Sequence, residues 1–148
     1  MVELSGQHGT IKISVQNGAA AMEEIARIDL VKYRCISADI RSSVVVLTNN
    51  QQQHIIQRRG TAFWERYRGR FREIIEEPDY IFKDEHHANT AIACKGFVED
   101  GKTVQLVIRL ALTGDDPQLQ NSVITAILEN SKRFSQRLRN NRPLYKRE

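Results

Sequence analysis

The chain has 148 residues, 41% of them hydrophobic, which suits one domain with a sizeable core and excludes a disordered polypeptide. Lys and Arg number 22 against 18 Asp and Glu, a formal charge of +4 that favours anionic partners. No apolar run approaches the roughly 20 residues that cross a bilayer, and the polar N-terminus lacks a signal peptide's apolar core, so a cytoplasmic protein with no membrane partner is expected.

In chain order, Ile11, Ile13 and Val15 alternate with polar residues ahead of an Asn17-Gly18 turn, which predicts an opening strand or hairpin. Ala19 to Leu30 reads as a short helix with Met22, Ile25 and Ala26 setting its faces. Arg34 to Leu47 is extended, and its firm part is the β-branched run Val44-Val45-Val46-Leu47. Asn49 or Asn50 can cap a helix over 50–58. Gly60 breaks it, and Thr61 can cap a longer helix over 62–76 that Pro78 stops.

In that second helix Phe63, Tyr67, Phe71, Ile74 and Ile75 recur at spacings of three and four and read as core, with Trp64 just off the stripe. Beyond Pro78 the pattern turns to strands: 80–82, 90–99, 103–112 and 121–128. Asp100-Gly101 is a hairpin turn, and 84–89 and 113–117 are loops. Cys35 and Cys94 lie in apolar surroundings without a ligand or redox motif. Free buried thiols are the plain reading and one disulfide the alternative. The order of elements predicts an α+β domain.

Thirteen of the 22 basic residues fall in two blocks. Six are Arg58, Arg59, Arg66, Arg68, Arg70 and Arg72, and seven lie between Lys132 and Arg147. Phosphate contacts from such blocks give affinity without sequence choice. The C-terminal block is equally suited to a solvated helix or to an acidic inhibitor protein. His86-His87 beside Asp84 and Glu85 has no further spaced ligand, so a polar loop is favoured over a metal site.

Four pieces occur together in order: His54-Ile55-x-x-Arg58; Glu73-Ile74-Ile75-x-x-Pro78-Asp79-Tyr80-Ile81; a central hairpin; and Asn121-Ser122-x-x-Thr125-Ala126. In this the chain resembles the phage-encoded nuclease-like domains of the barnase, EndoU, colicin and RelE group over roughly residues 44–130. The resemblance implies a barnase/EndoU-like α+β fold, with helices packed on an antiparallel sheet. It also implies metal-independent, toxin-like cleavage of RNA with no cofactor. One nuclease-like domain is then expected over 1–148. Its core would be about 44–130, its lead-in 1–40 and its basic C-terminal segment 131–148. The resemblance places His54, Arg58, Pro78, Asp79, Tyr80, Asn121, Ser122 and Thr125 at matching positions, with Lys83 at the end of the first sheet strand. Where a second histidine often follows the arginine, this chain has Arg59.

Cleavage through a neighbouring 2′-hydroxyl needs a proton acceptor, a proton donor and fixed donors for the charge on phosphorus. Imidazole titrates near neutrality, at about 6.5, so His54 is the candidate for proton transfer. Arg58, one helical turn on, would fork onto the phosphate. Thr125 and Ser122 would donate hydroxyl hydrogen bonds. Three apart on a regular strand they point to opposite faces, so both line one site only if the strand bends. Arg59, Arg66, Arg70, Tyr80, Lys83 and Asn121 are candidate substrate-binding residues. The leading expectation is a metal-independent endoribonuclease leaving a 2′,3′-cyclic phosphate. The alternatives are a nucleic-acid-binding module without catalysis, or an interaction protein of a phage or other mobile element.

Overall fold

The computed structural model describes residues 21–148. The expected opening strand around Ile11–Val15 and its Asn17-Gly18 turn lie outside those residues. Seven strands form one sheet: β1 (Met22–Arg27), β2 (Val44–Thr48), β3 (Tyr80–Lys83), β4 (Thr90–Phe97), β5 (Lys102–Arg109), β6 (Asn121–Asn130) and β7 (Tyr145–Lys146). Their order across the sheet is β1-β2-β6-β5-β4-β3-β7. Five helices accompany them: α1 (Leu30–Tyr33), α2 (Asn49–Arg59), α3 (Thr61–Tyr67), α4 (Phe71–Glu76) and α5 (Ser131–Asn140). The expected α+β class holds.

The sheet is mixed rather than wholly antiparallel. The helices carry the chain from β2 to the far side of the sheet, and the meander β3–β4–β5–β6 returns strand by strand. That brings β6 beside β2 in the same direction, paired through Val45–Asn121 and Val46–Ser122. All other pairings are antiparallel. Met22–Arg27, expected as helix, are the edge strand β1. A bulge there sets Glu24 opposite Val46 and Ala26 opposite Val45, leaving Ile25 over. Ile25 and Ala26 are both buried in the core, and such consecutive burial imitates a helical stripe.

The stripe Phe63, Tyr67, Phe71, Ile74 and Ile75 is buried against Ile81, Ala91, Ala93, Val104, Leu106 and Ile108 on one face of the sheet. Each such side chain contributes about 1.5–3 kcal/mol on burial. The expected 62–76 helix is divided by a 3₁₀ turn at Arg68–Arg70, around Gly69. The cap of α2 is Thr48, whose hydroxyl accepts from Gln51 N at 3.1 Å, not Asn49 or Asn50. Gly60, at φ 96°, separates α2 from α3 and occupies the capping position expected of Thr61. No helix among the described residues is long and apolar enough to cross a membrane.

The basic C-terminal block does not stand free of the fold. α5 covers the opposite face of the sheet, where Phe134 packs with Phe82 and Cys94. Arg137 forks onto Glu129, with Nε 3.1 Å from Oε1 and Nη2 2.6 Å from Oε2. The hydrogen bond from Arg137 holds the Glu129 carboxyl below its ordinary value. Its folded-state value is therefore depressed. The stability this contributes is complete above the unfolded value of about 4.3 and is lost as pH falls through the folded one. Urea midpoints measured from neutral pH into the acid range should fall, and Glu129→Gln should flatten that decline.

Cys94 lies under α5, whereas Cys35 packs against the core on the other face, so the two thiols stay free. Burial pushes the Cys94 thiol far above its ordinary range and raises that of Cys35 as well. A native thiol titration should therefore leave Cys94 unmodified until denaturant is added. Rapid labelling of both cysteines in the native protein would contradict this packing.

Candidate nucleic-acid interface

Thr48 starts α2 at the end of β2, and Ile55 anchors the helix in the core. α2 packs on β2 and β6. His54, next to Ile55, is half-buried on the helix flank, and Arg58, four residues on, is exposed. Among the described residues neither side chain makes a hydrogen bond or an ion pair.

The remaining arginines of the block divide by partner. Arg66 forks onto Asp100, which also accepts from the Tyr67 hydroxyl at 2.7 Å. Those two partners hold the Asp100 carboxyl low, Arg66 having the larger effect. Arg68 pairs with Glu23 at 3.2 Å and Arg72 with Glu76 at 3.4 Å. Arg70 bonds Glu73 at 2.8 Å, reaches Glu99 at 3.7 Å, and lies over the Phe97 ring. The six-arginine patch expected from the sequence is thus four neutralised side chains, with Arg58 and Arg59 left over. Arg66 and Arg70, expected to bind substrate, are first of all partners of carboxylates.

Arg59 has a different task. β2 pairs with β6 only as far as Ser122, so the later part of β6 has an open edge. There Arg59 Nε donates to the Ala126 carbonyl at 2.6 Å, supplying the bond that a neighbouring strand would have made. Beside it lies a groove of about 480 Å³ lined by Arg59, Phe63, Arg66, Asp100, Lys102 and Leu128. Three cations face one carboxylate in that groove. Asp100 and Lys102 were legible in the sequence only as ends of a hairpin turn. Their place beside α3 depends on the register of β4 with β5.

Comparison with known proteins finds no matching family model, no matching curated relative and no matching solved structure. The site therefore stands on its own geometry.

Ser122 and Thr125 share a face, because β6 bends. Val107 pairs with Thr125 and Ile108 with Val123, which leaves Ile124 as an extra residue. Leu106 and Ile108 point into the core beneath the helices, so Val107, Thr125, Arg109 and Ser122 point the other way. No hydrogen bond joins either hydroxyl to His54. The expected set of four is divided. His54 and Arg58 stand on the helical side, Ser122 and Thr125 on the opposite face, and they approach each other only around the open edge where Arg59 holds Ala126.

Two expected substrate contacts are tied into the fold. Asn121 is fully buried, accepts from Ala111 N at 2.8 Å and donates to the Ser42 and Val44 carbonyls at 2.6 and 2.8 Å. No donor or acceptor capacity faces solvent, so it fastens β2, β6 and the end of β5 rather than a ligand. Tyr80 packs against Phe82 and Phe134 beneath α5. Asp79 accepts from Gly96 N at 2.9 Å and meets Arg147 at 2.9 Å, which fixes β7 on the edge of β3. Lys83 is exposed at the end of β3. In the 84–89 turn, Asp84 accepts from His86 N and bonds His87 Nδ1 at 3.1 Å. No group of three His, Cys, Asp or Glu suited to a metal occurs among the described residues.

Proposed function

We propose that the protein is a metal-independent endoribonuclease that binds RNA along the open edge of β6 and cleaves it beside α2. The observation that carries this reading is the pairing of His54 with Arg58. They stand one helical turn apart, with no side-chain partner among the described residues, on the helix whose Arg59 lines a groove with Arg66 and Lys102. Arg58 would take the scissile phosphate through two guanidinium hydrogen bonds. His54 would transfer the proton to or from the reacting oxygens. Arg59, with Nε bonded to the Ala126 carbonyl, would offer its Nη groups to the charge on phosphorus. Thr125, one residue before Ala126, would add its hydroxyl from the far side of the edge, with Ser122 behind it. Attack by the ribose 2′-hydroxyl leaves a 2′,3′-cyclic phosphate and a 5′-hydroxyl, which is how such a site works without a metal. The resemblance to toxin-like nucleases points the same way, and an acidic inhibitor protein would meet the same basic groove.

A second reading, RNA binding without cleavage, is favoured by Arg59. It occupies the position of a second proton-transfer group, and its Nε is committed to a carbonyl. Incubating the purified protein with mixed RNA in EDTA separates the two. Cleavage that raises the 2′,3′-cyclic phosphate content supports the nuclease. RNA retention without cleavage supports the binding module. In either case Arg58→Ala should reduce the log–log salt slope of binding by about one, as expected for the loss of one phosphate contact.

A further inference from the structure

A second cavity, of about 370 Å³, opens on the sheet face away from α2, between the end of β3, β5 and the C-terminal end of α5. Its volume is that of a small-molecule site. Phe82, Ile92 and Leu144 give it apolar walls, and Gln105 lies in its lining. The exposed side chains of Lys83 and Arg142 stand at its margin. Asp84, at the rim, is occupied by its own turn through His86 N and His87 Nδ1.

Gln105 sets the chemistry. It is only 1% exposed, and its Nε2 donates to Glu129 Oε1 at 2.6 Å. Glu129 is held by the Arg137 fork, and an ionised carboxylate only accepts hydrogen bonds. The amide therefore turns its NH₂ to Glu129 and its carbonyl oxygen away. That Oε1 accepts no hydrogen bond from the protein among the described residues. An unpartnered acceptor that reaches a cavity in this way rewards an N–H donor and penalises another acceptor. Apolar walls, one acceptor facing the cavity, and two exposed cations at a margin that also carries Glu85 fit a nucleotide.

We propose that this cavity binds a nucleotide whose base carries an amino group, the amino group donating to Gln105 and the phosphate lying against Lys83 and Arg142. The site is separate from the α2 face, and the proposal does not depend on cleavage there. The occupant is either a free nucleotide or one residue of an RNA strand.

Calorimetric titration with AMP against purine riboside 5′-monophosphate, and with CMP against its 4-deamino analogue (pyrimidin-2-one riboside 5′-monophosphate), tests it, because the members of each pair differ only in the amino group. Short oligo-C and oligo-U, titrated into His54→Ala protein so that cleavage cannot intervene, form the second arm. The expected result is that the amino member of a pair binds about tenfold or more tightly, and that Arg142→Ala weakens it. Preference among the mononucleotides identifies a free nucleotide, and preference among the oligonucleotides alone identifies a strand. Equal affinity within every pair, no binding in either arm at millimolar concentration, or binding indifferent to Arg142→Ala overturns the proposal.

Discussion

Replacing His54 with alanine is expected to slow RNA cleavage by about 10²–10⁴-fold, the contribution of one positioned proton-transfer group. RNA retention should be unchanged, because on this reading phosphate contacts from Arg58, Arg59 and Lys102 would carry the affinity. The fold should also be unchanged. His54 makes no side-chain hydrogen bond or ion pair among the described residues, and the core anchor of α2 is its neighbour Ile55. Single-turnover rates and filter retention on the same preparations separate the two effects. Undiminished cleavage by His54→Ala would place proton transfer on another group. A parallel loss of retention would mean that the imidazole holds RNA rather than acting on it.

Asn121→Ala is expected to have the largest effect on stability. Removing the amide strips a partner from Ala111 N–H and from the Ser42 and Val44 carbonyls. Each buried polar group left unpaired costs about 1–3 kcal/mol, so a total of about 3–5 kcal/mol is expected. At this chain length that corresponds to a fall in Tm of roughly 10 °C. The matched position of Asn121 in the nuclease-like motif suggested a substrate contact. Loss of activity at unchanged Tm would restore that role, whereas loss of Tm with activity retained in the folded fraction supports the structural one.

These two residues show what sequence carries and what it hides. His54 and Arg58 were legible because both lie on one helix, where a spacing of four fixes their common side. The core stripe from Phe63 to Ile75 was legible for the same reason, and the β4–β5 hairpin through Asp100-Gly101 and clean alternation. Asn121 was misread because its three partners sit in a different strand and loops up to 79 residues away in sequence. The arginines were misread as one patch because Glu23, Glu99 and Asp100 reach them only in the folded chain.

Two bulges account for two further differences. Neither carries a glycine or proline to announce it. At Ile25 the extra residue turns a strand into an apparent helical stripe. At Ile124 it brings Ser122 and Thr125 onto one face, where strict alternation would have opposed them. The mixed sheet was likewise hidden, since β2 and β6 are joined by long-range pairing that no local pattern encodes.

The most direct measurement of the central claim uses an oligonucleotide in which a single ribose interrupts a deoxyribose strand, incubated with the protein in EDTA. Attack by the 2′-hydroxyl beside His54 and Arg58 predicts one cut, immediately 3′ of the ribose, with a 2′,3′-cyclic phosphate on one product and a 5′-hydroxyl on the other. Cutting at deoxyribose positions, 5′-phosphate ends, or an intact strand that the protein nevertheless retains would contradict it.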